Sequence, residues 1–402
     1  MSQELSIGLI LPALPGNSET FIHSKIKGLL HNGFKVSLFV AGKGDLKSIP
    51  VTVPVYFQIN INNKLCLFST LIASFILHPL ICIRFIKLEK LSHGNWIRGF
   101  KNLIINAHII GKNLDWLHFG FATTALWREN LASAMGIKAA VSLRGFDIGL
   151  YPHQHPNCYN LLWQKIDKVH TISDDLYQKA VDLGLDPKTP YEKIIPAINI
   201  EFFKSNIDKD LHNPLRILTV GRLTWKKGYE YALKALVLLK NAQINFEYHI
   251  VGEGHYREAI MYSIYQLGLT KNVMLTGQIS PVEVKNEMEW ADIYIQPSIQ
   301  EGFCNAVLEA QAMGLLCIVT DADGLSENVL DGKTGWVVPK RSPEELSKKI
   351  INILTMDDDR LNQIRKYASK RVINEFNLEL QSQLFFDYYQ ILNLDLLSFH
   401  PF

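Results

Sequence analysis

Apolar residues gather in short runs that alternate with longer segments of mixed polarity. The runs at 5–11, 35–40, 215–220, 246–251, 273–275, 293–296 and 316–320 are short and rich in Val, Ile and Leu, so they read as buried strands. The segments between them have helical length, as in the apolar pattern that runs through Leu239. Strand and helix in alternation predict an α/β architecture, with parallel sheets joined by right-handed crossovers. At 402 residues the chain is long enough for two cores, so two domains are expected. Ile194-Ile195-Pro196 and the polar Asp208, Lys209 and Asp210 break the pattern, which places the boundary near residue 205, between domains 1–204 and 205–380.

The chemistry concentrates after two of these runs. Glu301-Gly302-Phe303-Cys304-Asn305-Ala306-Val307-Leu308-Glu309 follows the run at 293–296 and sets two carboxylates around a predicted helix start. In open α/β sheets ligands sit beyond the carboxyl ends of the strands, where helix N-termini attract phosphate. Glu309 in the first turns of that helix has the reach to accept hydrogen bonds from a pair of sugar hydroxyls, and Glu301 on the loop to reach a second sugar. Read alone, two glutamates eight apart are also what a solvated helix face carries. Gly221-Arg222-Leu223-Thr224-Trp225-Lys226-Lys227-Gly228 follows the run at 215–220. Arg222 is able to fork onto phosphate oxygens and a lysine to set a point charge beside them. Spacing does not choose between Lys226 and Lys227, and an exposed basic turn is the plainer reading of the segment by itself.

Together these residues resemble the retaining glycosyltransferases of family 4, whose GT-B fold consists of two facing Rossmann-like domains. The likeness is strongest from Gly221 to Pro339. It takes in the basic turn, Val251-Gly252-Glu253-Gly254, Leu275-Thr276-Gly277, the segment from Glu301 to Glu309, and Gly332-Lys333-Thr334-Gly335-Trp336-Val337-Val338-Pro339. The resemblance implies that Glu309 binds the nucleotide ribose, Arg222 and Lys227 the donor pyrophosphate, and Glu301 the transferred sugar. Gly252, Gly254, Gly302, Phe303, Cys304 and Asn305 would line the donor site. Cys304 stands where many relatives have a small residue, so it is expected to be a backbone-contact position. The resemblance implies no metal and no cofactor beyond the donor, of UDP or GDP type. It also implies that a last helix, at 381–402, crosses back to the N-terminal domain.

In the first half, Ser18-Glu19-Thr20-Phe21-Ile22 follows a Pro/Gly loop and resembles the exopolysaccharide and colanic-acid-type branch. Gly16 is expected to let backbone approach phosphate or acceptor. Many relatives have two adjacent glycines in this loop. His118 follows Asp115-Trp116-Leu117; a lone histidine among apolar residues is usually a core residue, but the resemblance implies a strand-end position contacting the transferred sugar. Arg144, in Val141-Ser142-Leu143-Arg144-Gly145-Phe146-Asp147, stands where many relatives carry histidine. It is left open between binding an anionic acceptor group and bracing the cleft, with Asp147 as candidate partner.

Cys66, Cys82, Cys158, Cys304 and Cys317 form no CxxC and no zinc spacing, which suits a reducing compartment. The N-terminal sequence lacks the positive charge of a secretory signal. Net charge is +2, too near neutral for a nucleic-acid partner, yet residues 1–150 hold 15 Lys and Arg against 7 Asp and Glu. That half also contains a run at 65–83 free of Asp, Glu, Lys and Arg, followed by Arg84, Lys87 and Lys90. It just reaches the length of a membrane span, but His78-Pro79 near its centre favours a buried or interfacial helix pair. An anionic membrane surface is therefore expected as a partner, with a cytoplasmic protein peripheral to the inner face of the cell membrane.

The sequence thus points to a hexosyltransferase moving sugar from a nucleoside diphosphate to a saccharide acceptor, lipid-linked, in surface polysaccharide or lipopolysaccharide synthesis. A nucleotide-sugar epimerase of the same fold and a non-catalytic sugar-binding subunit are the alternatives. A nicotinamide dehydrogenase is disfavoured because no GxGxxG follows the first strand or the one at 215–220.

Overall fold

The alternating runs fold into two parallel sheets. The computed structural model describes residues 4–16, 19–42, 44–46, 49–59, 64–205, 207 and 209–390. The chain divides into two compact units, Met1–Ile195 with Glu379–Phe402, and Pro196–Leu378. The family motif residue Ser18, the Cys66 side chain and residues 391–402 of the expected crossing segment lie outside what is described.

The first unit holds β1 (Ser6–Leu11), β2 (Lys35–Val40), β3 (Val55–Phe57), β4 (Trp116–Phe119), β5 (Lys138–Leu143), β6 (Lys168–Thr171) and β7 (Tyr191–Lys193). They run parallel in the order β3-β2-β1-β4-β5-β6-β7. Every residue of β1 from Ile7 to Leu11 is buried, which is why the strand reads as a continuous apolar run: helices cover both faces of such a sheet. Helix Thr20–His31 presents Ile22, Lys25, Ile26 and Leu29 inward, spaced three and four apart on one stripe. The 65–83 run becomes two helices, Lys64–Leu77 and Pro79–His93, bent by 113° between them. Pro79 opens the second helix and His78 before it leaves helical geometry, as a proline requires of its predecessor.

The second unit holds β8 (Leu215–Val220), β9 (Phe246–Val251), β10 (Val273–Gly277), β11 (Ile293–Gln296), β12 (Leu316–Thr320) and β13 (Trp336–Val338). Again all are parallel, in the order β10-β9-β8-β11-β12-β13. Leu215, Ile217, Ile250, Ile293, Ile295 and Ile318 from the strands meet Leu233, Leu236, Ile350 and Ile353 from the helices in one core.

The change of unit comes at Pro196 rather than near 205. Ile198 N–H donates to Phe376 O at 3.0 Å and Ile198 bridges Asn377, so the residues just after Pro196 are already tied to the second unit. The last described helix, Leu378–Gln390, belongs almost entirely to the first unit, where Phe385, Tyr388 and Tyr389 join Phe34 and Trp116 in the core.

Candidate active site

In the second sheet the chain builds outward from β8 through β9 to β10, then returns to the other side of β8 with β11. That reversal is where an open α/β sheet leaves a crevice at its strand carboxyl ends. Gly221 and Arg222 leave β8 there, and Pro297 to Glu301 leave β11. Two glycines let the loops close up. A Cβ on Gly228, at φ 65°, would lie 2.1 Å from Pro297 O, and one on Gly252, at φ 143°, would lie 2.0 Å from Gly221 O. Ile299 N–H donates to Lys226 O at 2.7 Å, which fixes the β11 loop against the basic turn.

That closure separates the two lysines. Lys227 is buried, and its ammonium donates to Glu301 Oε2 at 2.5 Å. Burial alone would lower the Lys227 ammonium, but the Glu301 carboxylate beside it outweighs this and holds it above its ordinary value. Among the described residues Lys226 makes no such ion pair, and burial lowers it despite the Glu301 carboxylate nearby. Ser298 Oγ, which accepts from Gln296 Nε2 at 2.8 Å, lies 3.4 Å from the same carboxylate oxygen. Arg222 is exposed, with no side-chain hydrogen bond among the described residues.

Glu309 lies in helix Asn305–Ala312, half-buried and without a side-chain partner among the described residues. Desolvation pushes its carboxyl up to about 7. The helix starts at Cys304, which supplies no oxygen cap for the first N–H groups. Asn328 instead brackets the Cys304 backbone: Cys304 N–H donates to Asn328 Oδ1 at 3.1 Å, and Asn328 Nδ2 donates to Cys304 O at 3.0 Å. Nothing in the sequence singled out Asn328, because its partner lies on another loop. The Cys304 thiol is buried and raised by desolvation to about 11, consistent with a packing position rather than a reactive one. Gly302 and Phe303 are also buried, Phe303 facing the ring of Phe376 at 5.9 Å, while Asn305 is half-exposed. Gly254 sits where a Cβ would come 2.3 Å from Leu223 O.

The first-unit candidates fall elsewhere. His118 is not at a strand end. It is the third of the four β4 residues, is 0% exposed, and Gly120 follows the strand. Its Nδ1 meets Tyr389 OH at 2.8 Å, and its Nε2 meets Ser142 Oγ at 2.8 Å and Lys25 Nζ at 3.0 Å. Ser142 Oγ continues to His170 Nδ1 at 2.7 Å, and His170 Nε2 donates to Ile194 O at 2.9 Å. A sugar contact at His118 would require these partners to part. Burial lowers both imidazoles well below the usual range, with the neighbouring Lys25 adding to the effect.

Asp147 is not an ion-pair partner through the Arg144 guanidinium. Its carboxylate accepts from the backbone N–H groups of Ala122 at 2.5 Å and Arg144 at 2.9 Å. The Arg144 guanidinium lies over the Phe21 ring at 3.9 Å, and its Nε is buried with no hydrogen bond. Gly16 N–H donates to the Glu19 carboxylate at 3.0 Å, and a Cβ there would meet open space, so no close approach within the chain demands a glycine. A surface recess of about 620 Å³ at the amino ends of β1 and β2, beside Glu4, Lys35 and Asp115, lies at the opposite end of the strands from a ligand crevice. Among the described residues no three His, Cys, Asp or Glu side chains are grouped to hold a metal ion.

The second unit therefore gathers a buried Lys–Glu pair with, among the described residues, an arginine and a carboxylate that make no side-chain hydrogen bond, at the reversal of its sheet. Residues 199–371 match the model of the family described as glycosyl transferases group 1. Over 94% of its length the chain is 27% identical to the "Putative colanic acid biosynthesis glycosyltransferase WcaL" of Escherichia coli K12, covering 97% of that protein. The amylovoran biosynthesis glycosyltransferase AmsK of Erwinia amylovora is 29% identical over 65% of this chain and 66% of its own. The Anabaena Alr3699/HepE structure in complex with UDP superposes with a TM-score of 0.71 at 16% identity, covering 96% of this chain and 99% of that one. The fold is GT-B, with two Rossmann-like α/β units.

Proposed function

We propose that the chain is a retaining family 4 hexosyltransferase that takes sugar from a nucleoside diphosphate and transfers it to a saccharide acceptor, lipid-linked, in surface polysaccharide synthesis. The observation that carries this reading is the Lys227–Glu301 pair set beside Arg222 at the carboxyl ends of β8 and β11. Arg222 and Lys227 bind the donor pyrophosphate, and Glu309 accepts from the ribose hydroxyls. Glu301, shared with Lys227, faces the transferred hexose. The C1–O bond breaks with its electron pair leaving on the pyrophosphate, whose growing charge the two cations stabilise. The acceptor hydroxyl forms the new bond on the same face and gives its proton to the departing phosphate oxygen. Positioning and charge stabilisation supply most of the rate.

The UDP complex of Alr3699/HepE and the UDP-Gal-dependent galactosyltransferase of Escherichia coli, 28% identical over 51% of this chain, favour a UDP-type donor. Calorimetric titration of UDP, GDP and their hexose conjugates tests the reading. One nucleotide series is expected to bind, and to be lost in folded Arg222→Ala and Glu309→Ala variants. Well-folded wild type that binds neither series overturns it.

A further inference from the structure

Between β3 and β4 the first unit carries three helices, Lys64–Leu77, Pro79–His93 and Trp96–Asn106. Their inner sides hold them as one body. Cys82, Phe85, Ile86 and Glu89 face inward from the second helix. Glu89 accepts from Asn102 Nδ2 at 2.6 Å and from Asn130 Nδ2 at 2.8 Å, and the Phe75 and Phe100 rings lie 6.4 Å apart. A carboxylate so tied fixes the helices' relative rotation, and with it the faces they turn outward.

The outward faces are apolar. On the first helix Phe68, Ile72 and Ile76 recur every fourth residue, and Ile76 is 72% exposed. On the second, Leu80, Ile83, Arg84, Lys87 and Leu91 follow one helical stripe, all of them exposed. The third adds Trp96, Ile97 and Phe100, each exposed. Single exposed apolar residues are ordinary, but a face of this extent marks an interaction site.

Charge identifies what covers it. From 67 to 106 the only acidic residue is Glu89, 0% exposed and engaged as above. The same segment has Arg84, Lys87, Lys90, Arg98 and Lys101, and Lys90 Nζ sits 4.4 Å over the Trp96 ring. No single helix among the described residues is long and apolar enough to cross a membrane, and the first two helices bend by 113°. Apolar side chains grouped at a bend, with cations along the next turns and no exposed acid, match acyl chains lying beneath anionic headgroups. The geometry points to an in-plane anchor for an anionic phospholipid surface. Ile76, Leu77, Leu80 and Ile83 at the bend enter the acyl boundary, while Arg84, Lys87 and Lys90 pair with headgroup phosphates. This anchor is independent of the donor residues, which belong to the other unit.

Co-sedimentation of the full chain with vesicles tests it, using phosphatidylcholine alone and phosphatidylcholine with phosphatidylglycerol. Wild type is expected to pellet with the anionic vesicles. The triple variant Arg84→Gln, Lys87→Gln, Lys90→Gln is expected to partition about a hundredfold less, from about fivefold per cation. The variant Ile76→Ser, Leu77→Ser, Leu80→Ser is expected to lose the binding that survives high salt. Thermal melts and nucleotide titration, unchanged in both variants, establish that they fold. Wild type left in the supernatant with anionic vesicles overturns the anchor, as do variants that pellet like wild type. A concentration-dependent dimer in lipid-free sedimentation velocity, abolished by the apolar variant, overturns it in favour of a second copy of the chain. Loss of donor binding with vesicle binding intact strikes the transferase reading alone.

Discussion

Lys227 and Glu301 neutralise one another inside the second unit, with side chains 10% and 13% exposed and 2.5 Å between nitrogen and oxygen. Removing either partner strands the other charge where water barely reaches. Glu301→Gln is expected to destabilise the second unit by about 3 kcal/mol. The double variant Lys227→Met, Glu301→Gln should cost less than the two single changes together. Urea unfolding of the four proteins in a double-mutant cycle measures this; strict additivity would mean the pair contributes nothing as a pair.

Glu309 supplies a pH dependence. Its carboxyl is pushed up to about 7 by desolvation, and only the ionised form is a pure acceptor for two hydroxyl donors. Binding of a UDP-hexose, which has no phosphate titrating near neutrality, is expected to weaken about tenfold as pH falls from about 8 to about 6. Glu309→Gln should bind more weakly and lose the slope. A pH-independent wild type would remove Glu309 from the ribose contact.

Tyr389 OH and His118 Nδ1 tie the last described helix to β4 at 2.8 Å. Tyr389→Phe leaves a buried ring nitrogen without its partner and is expected to cost about 1–3 kcal/mol. His118 and His170 are held neutral by burial, their folded values lying below the unfolded one near 6.5. Stability present above that pH is therefore lost on acidification below it, because the unfolded chain takes up protons the folded one refuses. The slope approaches about 1.4 kcal/mol per pH unit for each histidine. Thermal melts across pH 5 to 8 check the sign; His118→Phe should flatten the curve.

Asn328 holds the Cys304 backbone through a donor and an acceptor. Asn328→Ala is expected to cost about 2 kcal/mol and to weaken donor binding, because the start of the Glu309 helix is no longer fixed. Asn328→Asp keeps the acceptor and loses the donor, so it should fall between. Equal donor affinity in all three proteins would limit Asn328 to stability.

The strands were legible because parallel strands buried on both faces must be apolar along their length, and β2, β8, β9, β11 and β12 begin and end where their runs do. Three-residue strands such as β3, β7 and β13 leave too short a pattern to stand out. The basic turn and the Glu301 segment were legible as chemistry. The choice of Lys227 over Lys226 was not, since it depends on Pro297 packing against Gly228 from another loop. His118 shows the converse. Its neighbours in sequence are apolar, but the partners that occupy its ring are Lys25, Ser142 and Tyr389, up to 271 residues away. Asn328 and Asp147 act on backbone groups of distant loops, a role with no local signature.

The helix Leu378–Gln390 has a consequence for the order in which the chain is made. Phe385, Tyr388 and Tyr389 complete a core whose other members begin at Leu5. On the ribosome, residues from Pro196 to Leu378 emerge and have all they need to close their own core while the first sheet still waits for its last wall. Of the two units, the one whose strands come earlier in the sequence is thus the last to be finished, and a chain cut short between Leu378 and Phe385 leaves the first sheet with a bare apolar flank.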